Sequence, residues 1–131
     1  FTSVKKGIVE AGIAAALNLC KEIAPTWNSY NREYFSRGNK LLEQTKAMVI
    51  SNDWETARQL WMEQLKKTKS KSLRSKLEFN IALSYEMQGD LNEAISWGVQ
   101  SFKTMYRQGT YNYLNILKSR KLQFTKTNEN N

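Results

Sequence analysis

The sequence predicts an all-α fold built from antiparallel helical hairpins, about six helices in a single domain over residues 1–124. Three observations carry this. The chain has one proline, Pro25, and only six glycines in 131 residues, so long stretches contain nothing that breaks a helix. Apolar residues recur in those stretches at three- and four-residue steps, the spacing of one helix face. A stop-and-start signal occurs twice, as Asn52-Asp53 and as Gly89-Asp90. Asn and Gly tolerate the left-handed backbone that ends a helix, and Asp is a preferred N-cap for the next one.

The elements follow in order. A leading helix is expected over 3–24, capped by Ser3, with Ile8, Ile13, Leu17, Cys20 and Ile23 on one face. Pro25 ends it, because proline disfavours helical backbone at Ala24. Residues 25–37 read as a connector that packs Trp27, Tyr30, Tyr34 and Phe35 on the bundle, with room for a short helix or a brief strand. A first hairpin is expected over 38–67. Its first helix buries Leu41, Leu42, Thr45, Met48 and Val49, and its second buries Trp54, Ala57, Leu60, Trp61 and Leu65. The Lys/Ser-rich stretch 66–72 reads as a loop. A second hairpin spans 72–106, with Leu73, Leu77, Ile81 and Tyr85 inward, followed by Leu91, Ala94, Ile95, Trp97, Phe102 and Met105. Asp90 and Glu93 have the spacing of a capping box. A capping helix is expected over 110–124, and the polar tail 125–131 reads as disordered.

The two turn signals head an internal repeat. Ala57 and Ala94 occupy equivalent places 37 residues apart, close to the tetratricopeptide period of about 34 residues. The segment Asn80-Ile81-Ala82-Leu83-Ser84-Tyr85, continuing through Gly89-Asp90 to Ala94-Ile95, resembles the core motif of the tetratricopeptide family. Ile81 and Ala82 match its large-small pair, Tyr85 its later aromatic and Ala94 its small residue at the helix crossing. The chain departs from that pattern at Gly98, where a large residue is usual, and at Gln44-Thr45 in the first hairpin. The resemblance implies a short right-handed superhelix, with Ala57 and Ala94 each at a tight crossing. It implies a peptide- or protein-binding groove lined by Leu42, Lys46, Val49, Phe79, Asn80, Leu83 and Glu86, with no cofactor. Asn80 resembles a position that holds a peptide backbone; a bond to the neighbouring turn is the alternative. Nearly the whole chain is also similar to the C-terminal part of a family of uncharacterised bacterial lipoproteins. Ala24-Pro25-Thr26-Trp27, Tyr34, Gly38-Asn39, Trp54, Trp61, Glu86 and Trp97 are among the matching residues. That likeness implies an extracytoplasmic, periplasmic or outer-membrane setting, with a lipid anchor upstream.

Composition narrows the chemistry. There is no histidine, which removes the commonest general base and metal ligand. Cys20 is the only cysteine, so no disulfide forms within the chain. It falls on the apolar face of the leading helix and reads as a buried thiol. Gly7 and Gly12 have no Lys-Ser/Thr after them, so they do not make a phosphate loop. Glu78, Glu86 and Asp90 offer carboxylates, but Asp90 is accounted for as an N-cap and no convergent acid/base pair is evident. Lys5-Lys6 before Ile8–Cys20 faintly resembles a signal peptide, and Glu10 and Asn18 favour an amphipathic helix instead. The chain begins at Phe1 rather than Met, which fits a processed form or a piece of a longer protein.

Basic residues outnumber acidic ones 20 to 12, a net charge of +8, which favours acidic partners. The charge concentrates in Lys66, Lys67, Lys69, Lys71, Arg74 and Lys76. This run fits a phosphate backbone or another anionic polymer, but no aromatic ring is interleaved for base stacking. The expected function is therefore a non-catalytic protein-interaction or scaffolding module. Structural support for an upstream domain and anionic-polymer binding through 66–76 are the alternatives. Of the aromatics, Trp54, Trp61 and Trp97 fall at core spacing; Trp27, with Tyr30 and Tyr34, fits an exposed site.

Overall fold

The computed structural model describes residues 2–5 and 31–129. The chain divides into two compact units, residues 1–34 and 35–131, rather than the single domain expected over 1–124. In the first unit, β1 (Thr2–Lys5) pairs antiparallel with β2 (Asn31–Tyr34), with Thr2 opposite Tyr34 and Lys5 opposite Asn31. The leading helix expected from Ser3 is thus overturned at its start, where the chain is a strand. Its remainder, with Cys20, and the connector residues Pro25, Trp27 and Tyr30 lie outside the described residues. Four-residue strands have no 3.6-residue signature, and this one exists only through a partner almost thirty residues away.

The second unit is helical: α1 (Lys40–Ile50), α2 (Trp54–Lys67), α3 (Lys71–Met87), α4 (Leu91–Thr104) and α5 (Gln108–Glu129). Each helix packs on the next in sequence. Asn39 starts α1 from extended backbone, its Oδ1 accepting the Leu41 N–H at 2.8 Å. The two internal turns are built alike. Asn52 and Gly89 take positive φ, 63° and 87°. The Asp53 N–H then reaches back to the Met48 carbonyl (2.8 Å), and the Asp90 N–H reaches the Tyr85 carbonyl (2.9 Å). Each Asp next caps the following helix, accepting from the Thr56 and Glu93 N–H groups. One short sequence signal therefore both stops and restarts a helix, twice.

The loop expected over 66–72 contracts to Thr68–Ser70, because α2 continues through Lys67 and α3 starts at Lys71. Ser70, not Ser72, is its N-cap. Arg74 closes the turn by donating to the Leu65 and Thr68 carbonyls at 3.0 and 3.1 Å, satisfying the orphan end of α2. The expected disordered tail is also corrected, since α5 continues through residues 125–129.

The core follows the helix periodicity in α1 and α2, where Leu42, Val49, Trp54, Ala57, Trp61 and Leu65 are buried. Full burial of such a side chain is worth about 1.5–3 kcal/mol. Trp61 also donates from Nε1 to Thr45 Oγ1 at 2.9 Å, tying α2 to α1. α3 is central, and it buries Leu77, Phe79, Ile81, Ala82, Leu83 and Met87. α4 departs from expectation. Its buried residues are the small ones, Ala94, Gly98 and Ser101, while Leu91, Ile95, Trp97, Phe102 and Met105 are only half-buried. Close approach decided this: a Cβ on Gly98 would lie 2.8 Å from Leu114 Cδ2 of α5. Ser101 Oγ adds a 2.7 Å bond to the Ser75 carbonyl of α3. Ala57 and Ala94 are both fully buried.

Candidate functional site

α3 carries a row of buried polar residues, and they define the site. Burying an unpartnered amide or carboxylate is costly, so each should meet its complement. Asn80 does so with both ends of its side chain. Its Nδ2 donates to the Phe35 carbonyl at 2.8 Å, and its Oδ1 accepts the Phe35 N–H at 2.9 Å. An asparagine offers one donor edge and one acceptor edge, so it replaces the neighbouring strand that an extended residue would otherwise pair with. All four atoms are buried, which makes the clamp strong where a surface pair would be weak.

The Phe35 ring is held by the same group of helices. It meets Phe79 edge-on, centroids 5.3 Å apart, and Phe79 in turn packs on Tyr113 of α5 at 5.0 Å. Arg107, just before α5, places its guanidinium 5.2 Å from the Phe35 centroid, and Lys76 Nζ lies 5.8 Å from it. Arg107 is fixed by the Ser75 and Ser72 hydroxyls. Burial pulls its pKa below the ordinary arginine value. One turn beyond Asn80's neighbours on α3, Glu86 accepts from Tyr113 Oη at 2.9 Å and pairs with Arg120.

The residues expected to line an open groove are therefore placed differently. Phe79, Asn80 and Glu86 come together, but this unit's own Phe35, Tyr113 and Arg120 engage them. Leu42, Val49 and Leu83 are buried, and Lys46 is half-buried. Asn80 does hold a peptide backbone, and that backbone belongs to its own chain. Phe35, Arg107, Tyr113 and Arg120 complete the site beyond the residues that the sequence singles out. Only Phe35 carried a signal, as an aromatic in a polar connector.

The basic run separates into two sets. Lys66, Lys67, Lys69 and Lys71 are exposed. Arg74 caps α2 and Lys76 leans over Phe35, so these two serve the fold. Tyr34 is buried, which removes it from the exposed aromatic site expected around Trp27.

Glu78 lies on α3 away from the clamp. It is 1% exposed, and its Oε1 has no hydrogen-bond partner. Burial raises its pKa above the usual carboxylate value; hydrogen bonding from Thr104 and Gln100 and attraction to Arg74 oppose this and lose.

Fold and site together define an all-α unit over the described residues 35–129, in which the central helix holds the backbone of Phe35. No described helix is long and apolar enough to cross a membrane. The chain belongs to the family described as a domain of unknown function, DUF6340, whose model matches residues 43–119. No curated protein matches the chain, and no solved structure matches it. The matched stretch contains Asn80, Glu86, Arg107 and Tyr113 but stops short of Phe35 on one side and Arg120 on the other.

Proposed function

We propose that this chain is a non-catalytic scaffolding module whose tetratricopeptide-like hairpins stack to hold the backbone at Phe35, ahead of α1. The observation that carries this is the two-bond clamp of Asn80 on Phe35. In a free interaction module that amide would wait for a partner's backbone. Here it is already matched, which favours support of a neighbouring part of the chain over capture of a separate peptide. The likeness to bacterial lipoproteins supports an extracytoplasmic setting. Hydrogen exchange on the full chain tests the idea. The Phe35 amide should be protected as strongly as amides in the middle of α3, and Asn80→Ala should release it. Exchange of the wild-type Phe35 amide at the rate of an open loop would sink the proposal.

A second reading rests on Lys66, Lys67, Lys69 and Lys71, which stand exposed around one turn. They suit an anionic polymer held by charge alone. Binding of a labelled oligonucleotide should then fall steeply with salt and disappear when the four lysines are changed to glutamate.

A further inference from the structure

The exposed lysines of the α2–α3 turn have no aromatic ring near them in sequence, but the fold brings rings beside them. Successive helices return on one another, so the α4–α5 turn comes back to the same end of the stack. Arg107, in that turn, bonds the Ser75 hydroxyl and, at 3.2 Å, the Ser72 hydroxyl of α3, next to Lys71. Its neighbour Tyr106 is 60% exposed. That ring is nevertheless held in place. Its hydroxyl donates to Gln108 Oε1 at 2.6 Å, and it meets Phe102 of α4 with centroids 5.5 Å apart and planes at 75°. The centroid of Tyr111, which is 47% exposed, lies 6.2 Å from that of Phe102. We propose that the lysine turn and these tyrosines form one surface that binds single-stranded nucleic acid. This rests on the second reading above, charge-driven binding at the turn, and adds base stacking to it.

Charge and shape select that class. Neither 64–77 nor 94–128 contains an Asp or Glu, and Lys103 is exposed as well, so a cation is repelled. The four lysines stand exposed along one turn, which suits the repeated charges of a polymer over one small anion. The rings divide the polymers. A polyphosphate has nothing flat to lay on a tyrosine, and the bases of a duplex are covered by their neighbours. A single strand presents phosphates to lysine and open base faces to tyrosine. A ring already fixed by its own contacts loses little freedom when a base stacks on it. The pocket of about 370 Å³ beside Trp97 shares none of these residues.

The experiment is fluorescence anisotropy on the full chain, with an oligothymidylate and an abasic strand of equal length and charge. Heparin and phosphatidylglycerol vesicles serve as anionic controls without bases. The oligothymidylate should bind roughly fivefold or more tighter than the abasic strand, the worth of one stacked base. Tyr106→Ala, at an exposed position, should remove most of that difference and leave abasic binding as it was. Tyr106→Phe should keep the difference. Changing Lys66, Lys67, Lys69 and Lys71 to glutamate should abolish binding of both strands. The stacking proposal is overturned if the two strands bind the wild type equally, or if Tyr106→Ala preserves the difference; charge-driven binding would then stand alone. If neither strand binds, both ideas fall. Binding to heparin or to vesicles but to neither strand overturns it as well.

Discussion

The middle of α3 buries polar groups in two different ways. Asn80 and Glu86 are buried and matched, by the Phe35 backbone and by Tyr113 with Arg120. Glu78 is buried as deeply, and its Oε1 has no hydrogen-bond partner. The first arrangement is architecture, since every polar atom was given a complement by the fold itself. The second costs stability, because Thr104, Gln100 and Arg74 offset the burial of Glu78 only in part.

The contrast predicts substitutions of opposite sign. Asn80→Ala should have the largest effect. It removes both hydrogen bonds from Asn80 to the buried Phe35 backbone, for a loss of about 2–3 kcal/mol in denaturant unfolding. A loss near zero would mean that the clamp contributes nothing. Glu86→Leu should come next, at about 2 kcal/mol, because Tyr113 loses its acceptor while the partly exposed Arg120 recovers some solvation. A double-mutant cycle with Tyr113→Phe measures how much of this is the pair.

Glu78→Gln should go the other way. With its folded pKa raised from 4.5, Glu78 holds its proton more tightly in the folded state. It therefore lowers stability as pH rises from about 4.5 through the folded value, and the full cost is present above that. Glutamine removes the titration, so the variant should be more stable than wild type by about 1 kcal/mol at pH 8 and lose that advantage below pH 4. Equal stability at both pH values would erase the distinction between the matched groups and Glu78. The smallest effect belongs to the exposed turn, where Lys66→Ala and Lys69→Ala should each stay within about 0.5 kcal/mol of wild type.

How much of this was legible depends on how local the cause is. The turns at Asn52-Asp53 and Gly89-Asp90 were readable because a left-handed residue and an N-cap act over five or six residues. The α1 and α2 faces were readable because helix period and burial agree there. α4 misled for a physical reason: its large apolar residues follow the period, yet the small stripe Ala94, Gly98 and Ser101 was needed for close packing and took the inner face. That displacement turned Trp97 from an expected core residue into a pocket wall. The clamp joins residues 45 apart in sequence, so nothing near Asn80 or Phe35 announced it. The ribbon of β1 and β2 was hidden for the same reason.

Asn80 sits near the middle of the central helix, and this fixes where load enters the molecule. Tension on the chain ahead of Phe35 is delivered to α3, which is flanked by α2 on one side and α4 on the other, before it reaches α1. A helical stack gripped at its waist resists peeling from its terminus, because the anchor must yield before the first helix can be drawn away.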